Sequence, residues 1–238
     1  MYNSPRTNSI SKQLTDIYHC LFACYGPQYW WPADGAFEVI VGAILTQMTT
    51  WSNVEKAIGN LKSHGLLSPA ALYRIPTHEL ADVIYSAGFY NSKARKIKFF
   101  VAWLHDQYDD SLDGLFALSV LSLRRSLLEV YGIGEETADS ITLYAAKKPI
   151  FVIDAYTRRI IQHIGICPEE DSYNSFQALF MENLPVDEKM YNEYHALFVR
   201  HGKEKCHAHP DCSGCCLLAI CSRQTGIVSG QVINRRHS

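Results

Sequence analysis

Residues 130–138 read Val130-Tyr131-Gly132-Ile133-Gly134-Glu135-Glu136-Thr137-Ala138, and the rest of the chain is best understood outward from them. Two glycines flanking one apolar residue allow positive φ and a close approach to another surface. Ile133 would anchor such a turn in a core. A helix begins at once after Gly134, so its unsatisfied N–H groups face whatever lies in front, an arrangement that suits a phosphate. An ordinary tight helix–helix turn with a helix-stop glycine explains the same residues equally well.

On both sides of the hairpin the apolar positions recur at helical spacing. Ser11 to Tyr25 carries Leu14, Ile17, Tyr18, Leu21 and Phe22, and Gly26-Pro27 stops it. Phe37 to Leu45 could pass for a buried strand. The polar residues Gln47, Ser52 and Asn53 and the renewed apolar positions Val54, Ala57, Ile58 and Leu61 favour two short helices instead. Leu80 to Ala87, Ser92 to Tyr108 and Leu121 to Val130 repeat the pattern, with polar breaks at Thr77-His78, Gly88 and Asp109 to Asp113. Glu135 to Lys147, Thr157 to Gly165, Ser172 to Glu182 and Asp187 to His201 follow. Only Ile150 to Ile153 reads as a strand, and it is short. An all-α fold is expected.

Beyond the hairpin comes Phe151-Val152-Ile153-Asp154-Ala155-Tyr156-Thr157-Arg158-Arg159. Asp154 ends an apolar run and precedes a helix, the position of an N-cap. The same carboxylate can serve chemistry if it faces a cleft, and the two roles can coexist. Farther on, Cys206-x5-Cys212-x2-Cys215-x5-Cys221 gathers four of the chain's eight cysteines, with Cys216 as a spare. Four thiolates so closely spaced can wrap an iron–sulfur cubane or a zinc ion. Only Cys212 and Cys215 form the close pair typical of zinc, which favours [4Fe–4S] over the zinc alternative. Clustering at one end of a chain favours metal ligation in a reducing compartment over disulfides.

Composition bounds the function. The 238 residues are 47% hydrophobic and 19% charged, enough to build a sizeable core in one large domain or two small ones. Lys plus Arg number 22 against 24 acidic residues, a net charge of −2, so a globally basic nucleic-acid coat is excluded and any such contact must be a local patch. No apolar run reaches the roughly 18–20 residues of a membrane span, and Met1 to Lys12 is polar. A soluble, intracellular protein that does not engage membranes is expected.

Together these motifs, from about Phe37 to Cys221, resemble the helix-hairpin-helix DNA glycosylases of the endonuclease III superfamily. The resemblance makes Gly132-Ile133-Gly134 the DNA-binding hairpin, Asp154 the catalytic aspartate, and Cys206, Cys212, Cys215 and Cys221 the ligands of a [4Fe–4S] cluster. Gln47, in Leu45-Thr46-Gln47, falls where relatives place the residue that fills the hole left by an extruded base. Phe89, in Gly88-Phe89-Tyr90-Asn91-Ser92-Lys93-Ala94, matches the wedge on the facing side. His195 and His201-Gly202 also follow the family pattern. The resemblance implies two helical modules with a DNA-binding cleft between them. Residues 27–146 would form a six-helix barrel ending in the hairpin; residues 1–26 and 147–238 would form a second module with the cluster loop at 206–221.

Two departures stand out. The first cysteine gap is one residue shorter than in endonuclease III. Bifunctional relatives carry a lysine at the second position after the hairpin, where this chain has Glu136. Without that amine there is no Schiff base, so the enzyme should be monofunctional. Trp30-Trp31-Pro32 and the hairpin sequence look closest to the branch that removes 3-methyladenine. N-alkylation makes a purine cationic, and aromatic faces attract cations, which nominates Trp30, Trp31 and Trp51 as pocket walls; Glu136 would favour the same cation. Lys93, Arg95, Lys96, Arg158 and Arg159 are candidate phosphate partners.

The expected partner is double-stranded DNA containing a damaged base, bound by a monomer in the cytoplasm, or at the nucleoid in a bacterium or archaeon. Three alternatives were weighed: a glycosylase for mismatched or oxidised pyrimidines, an endonuclease III-like glycosylase with AP lyase activity, and a non-catalytic DNA-binding iron–sulfur module.

Overall fold

The computed structural model describes residues 5–210 and 212–222, with side chains from residue 9 onward. In chain order its helices are α1 (Pro5–Tyr25), α2 (Ala36–Leu45), α3 (Trp51–Ser63), α4 (Pro69–Arg74), α5 (Thr77–Val83) and α6 (Tyr90–Tyr108). There follow α7 (Leu112–Phe116), α8 (Val120–Leu128), α9 (Glu135–Ser140), α10 (Ala155–Ile164), α11 (Tyr173–Met181) and α12 (Glu188–Glu204). Short 3-10 turns at Tyr85–Ala87 and Leu218–Ile220 and a π turn at Ile141–Ala145 complete the set. Among the described residues there is no strand, so the fold is all-α. No described helix is long and apolar enough to cross a membrane.

The described residues divide into two compact units, one running from Trp31 to Ile150, the other made of those up to Trp30 and those from Phe151 onward. In the first, α2 is the helix the others pack around. All eight residues from Glu38 to Leu45 are buried, and α2 touches α3, α6, α9 and the π turn. A helix apolar on every side belongs inside a core, which is why this stretch is also readable as a strand. Its one charge, Glu38, accepts from Asp34 N–H at 3.0 Å and pairs with Lys62 at 2.8 Å.

Two helices in this unit are not among those that the sequence pattern predicts. Ser68 caps α4 by accepting from Ala71 N–H, with Pro69 at the first position. Ser111 likewise caps α7 through Gly114 N–H, inside the expected polar break. The helix expected over Glu135 to Lys147 is instead α9 plus the π turn, where Ala146 N–H reaches Ile141 carbonyl at 3.0 Å. Ser140 and Thr142 hydroxyls donate to the carbonyls of Glu136 and Ala138. Such back-bonding loosens a helix, and here it precedes a wider turn.

The second unit is an aromatic core framed by α1, α10, α11 and α12. Phe151 stacks on Phe180 with centroids 4.0 Å apart, and Tyr194 stacks on Phe198 at 4.6 Å. The Tyr194 hydroxyl donates to Leu14 carbonyl at 2.8 Å, tying α12 to α1. The helices α10 and α12 cross closely at Gly202, where a Cβ would sit 2.4 Å from the Tyr156 ring. The strand expected at Ile150 to Ile153 is a buried segment outside any regular element. Side chains meet two of its backbone groups: Gln177 donates to Phe151 carbonyl at 2.7 Å, and Ile153 N–H donates to the Tyr173 hydroxyl at 3.3 Å. Side-chain partners here take the place a neighbouring strand would have at those groups.

Candidate active site

The hairpin lies in the unit from Trp31 to Ile150. Gly132 has φ of +84°, and a Cβ on it would meet the Lys96 stem at 2.3 Å, so glycine is required twice over. Gly134 is extended and nothing stands within 4 Å of where its Cβ would be. It leaves open space in front of the first turn of α9, which has no side-chain cap. Gln47 is fastened to this turn: its amide donates to Gly132 carbonyl at 3.1 Å and to the Thr137 hydroxyl at 3.0 Å. Its Oε1 accepts from Lys96 Nζ. An ion pair holds the two hairpin helices together, with the half-buried Arg124 on α8 donating to the fully buried Asp139 on α9 at 2.8 Å.

Two apolar side chains stand out from the surface of this unit on strained backbone. Phe89 is 65% exposed at φ +45°, and Met48, next to Gln47, is 85% exposed at φ +53°. Left-handed non-glycine residues cost energy and cluster at functional sites. Glu136 is exposed on the first turn of α9.

Trp31, Trp51 and Tyr144 form an aromatic group. The Trp31 ring lies 5.3 Å from each of the other two centroids, edge-on to Trp51. Gly42 makes room for it, since a Cβ there would press on the Trp31 indole at 3.2 Å. The Trp51 indole N–H donates to Glu55 at 2.8 Å. Tyr144, supplied by the π turn, escaped the sequence reading; the only available signal was the paired hydroxyls at Ser140 and Thr142. Trp30 belongs to the other unit.

Lys93 requires a correction. Expected at a phosphate, it is 2% exposed, and its ammonium donates to the carbonyls of Leu45 at 2.9 Å and Ala87 at 2.7 Å. Burial, with help from nearby Lys96, lowers its pKa to about 8. Its place on the inner face of α6, beside Ala94 and Ile97, decided this; reading it as a surface charge overlooked the helical register.

In the other unit, Asp154 caps α10: one carboxylate oxygen accepts from Thr157 N–H at 2.7 Å. The side chain is buried, and its second oxygen lies 3.7 Å from His195 Nε2. Burial lowers the His195 pKa, against the pull of Asp154, so the imidazole is neutral at pH 7. Arg158 is committed to Asp171 and lies over the Phe176 ring. Arg159 donates to the carbonyls of Cys206 at 2.7 Å and Gly202 at 3.1 Å, holding the cysteine segment rather than facing outward.

Cys206, Cys212, Cys215 and Cys221 all border one apolar cavity, together with His163 and His201. Burial pushes the Cys206 thiol up to about 11, the other three sulfurs adding to the effect and Arg159 opposing it. His163 Nδ1 lies 3.2 Å from Cys206 Sγ, and His201 Nε2 lies 3.7 Å from Cys215 Sγ. Cys216 is set apart, its thiol hydrogen-bonded to Cys24 instead. Among the described residues no three His, Cys, Asp or Glu side chains are grouped as a single metal ion would require.

Comparison with known proteins places this geometry. The family model for HhH-GPD superfamily base excision DNA repair proteins matches residues 41–186. A Methanocaldococcus jannaschii protein named as a DNA repair glycosylase is 42% identical over 206 residues, 86% of this chain and 94% of that one. Endonuclease III of Sulfolobus acidocaldarius is 29% identical over 187 residues, 78% of this chain and 81% of its own. Among solved structures, the H. pylori 3-methyladenine DNA glycosylase bound to 1,N6-ethenoadenine aligns with a TM-score of 0.69 at 26% identity, covering 83% of this chain and 97% of that one. A trapped endonuclease III–DNA covalent intermediate aligns with a TM-score of 0.77 at 22% identity, over 90% of this chain and 97% of that one, a likeness of fold. With a family match spanning more than half of its length and a relative this similar over most of it, the chain belongs to the HhH-GPD superfamily of base excision DNA repair proteins.

Proposed function

We propose that this protein is a monofunctional DNA glycosylase that everts an alkylated purine such as 3-methyladenine from duplex DNA and removes it by hydrolysis. The observation that carries the reading is the Asp154 carboxylate, one oxygen fixed by a helix N–H and the other 3.7 Å from the His195 imidazole. A carboxylate so held can stabilise an oxocarbenium-like sugar and accept a proton from the attacking water. The C1′–N bond breaks with its electron pair leaving on the base, and the water oxygen bonds to C1′. A cationic purine departs as a neutral molecule and needs little acid help.

Substrate choice follows from the aromatic group. Faces of Trp31, Trp51 and Tyr144, with the Glu55 carboxylate on Trp51, suit a cationic base. Each aromatic face is worth about 0.5–2 kcal/mol toward a cation. Glu136 stands at the position where a lyase would need an amine, and a carboxylate cannot form a Schiff base. The open space at Gly134 suits a phosphate against the hairpin N–H groups. Gln47 and Phe89 would fill the vacated stack.

Cys206, Cys212, Cys215 and Cys221 would hold a [4Fe–4S] cluster. Four thiols around one cavity, with two imidazoles beside the sulfurs, support this over a single zinc ion. When bound, such a cluster supplies a covalent cross-link for the segment that Arg159 already braces.

The test is excision from duplexes carrying an alkylated purine, a G·T mismatch or thymine glycol, each read with and without alkali and with borohydride trapping. Alkali-dependent breaks confined to the alkylated duplex, with no trapped adduct, are expected. Glu136→Lys should weaken excision of alkylated purines. Release of mismatched or oxidised pyrimidines, or borohydride trapping by the native chain, would overturn the assignment.

A further inference from the structure

Lys93 sits where a hydrophobe would fill the core at lower desolvation cost, so its ammonium is best understood through what it bonds. An ammonium carries three donors. Two are spent on backbone carbonyls that end helical elements: Leu45, the last residue of α2, and Ala87, the last residue of the 3-10 turn. Such carbonyls lack helical partners and form the negative ends of their helices. Both carbonyls stand in the same register to a probing side chain. Two residues after Leu45 comes Gln47, followed by exposed, left-handed Met48; two residues after Ala87 comes exposed, left-handed Phe89. One turn along α6, Lys96 takes up the Gln47 amide oxygen and packs its stem against Gly132.

We propose that Lys93 is a positioning residue: one buried nitrogen ties the Gln47–Met48 loop to the Gly88–Phe89 loop and fixes the spacing at which the two probe a DNA stack. The inference rests on the glycosylase reading and deepens it. Loss of the tie frees the loops from each other, and small misplacements of positioning groups cost up to about a hundredfold in rate.

The experiment uses the full chain and a duplex carrying 2-aminopurine beside the lesion, whose fluorescence reports eversion. Lys93→Met keeps the stem and removes the donors. At saturating enzyme it should lower both eversion and single-turnover excision about tenfold or more, while DNA affinity changes little. Lys93→Gln, with a shorter neutral donor, should fall between and covers the case in which the Met variant does not fold. In a Gln47→Ala/Phe89→Ala background, adding Lys93→Met should cost no further excision, because the side chains it positions are gone. Normal eversion in a folded Lys93 variant, or the same loss in that background as in the native one, would overturn the proposal. Failure of the native chain to excise any lesion would sink the glycosylase reading instead, while eversion fluorescence would still report on Lys93.

Discussion

The loops at Gln47 and Phe89, proposed to probe DNA, and the segment around Asp154, proposed to catalyse, are built on opposite principles. Around Gln47, Phe89 and the hairpin, apolar side chains are exposed on left-handed backbone, and the loops are held from behind by Lys93 and Lys96. Such strain costs about 1–3 kcal/mol per residue. Around Asp154 the backbone is extended and unstrained, Ile150 to Ile153 are buried, and the carboxylate is fixed by a cap. A group that must enter a base stack has to stand proud of the surface. A group that must meet a developing positive charge has to be held still and dry.

The sharpest way to break this contrast is Asp154→Asn. Asparagine caps helices as well as aspartate does, so the melting temperature should hold while excision falls about a thousandfold or more and DNA affinity persists. A variant that unfolds, or that excises normally, would erase the distinction between a cap that also catalyses and a cap alone. Next is Arg124→Leu, which strips the guanidinium from buried Asp139 behind the hairpin. With Asp139 buried but Arg124 half-buried, the cost should fall at or below the roughly 3–5 kcal/mol of breaking a fully buried pair, readable by urea denaturation.

Much of this was legible in the sequence, and the exceptions have physical causes. Asp154 announced its cap through an apolar run ending at a helix start, and its catalytic role is the proposal built on that position. The hairpin glycines announced a turn, and only the structure separates them: Gly132 is forced by its φ and by Lys96, Gly134 by neither. Lys93 was misread, and the partners of Arg158 and Arg159 went unseen, because a basic residue carries no mark of its partner until the fold supplies one. Met48 and Tyr144 were invisible because left-handed backbone at a non-glycine residue and a π turn leave almost no compositional trace. The strand reading of Ile150 to Ile153 failed because side-chain partners, Gln177 as donor and Tyr173 as acceptor, stand in for a neighbouring strand.

The two glycines offer the next comparison. Gly132→Ala should cost about 1–3 kcal/mol of stability, whereas Gly134→Ala should leave stability unchanged and weaken DNA binding, measured by anisotropy at fixed salt. Equal effects on stability would mean that the open space at Gly134 is not kept for a ligand. The smallest effect belongs to Trp31→Ala. The ratio of excision of cationic to neutral lesions should fall by about 0.5–2 kcal/mol in free-energy terms, in competition assays within one reaction. An unchanged ratio would make the aromatic group a packing feature.

The central claim is tested most directly by single-turnover digestion of an end-labelled duplex bearing one alkylated purine, with each time point split between neutral and hot alkaline quench. The account predicts base loss appearing only as alkali-sensitive sites, with the strand intact at neutral pH throughout. Strand cleavage keeping pace with base release in the neutral samples would contradict it, for it would require an amine nucleophile, and at the position of that amine this chain has Glu136.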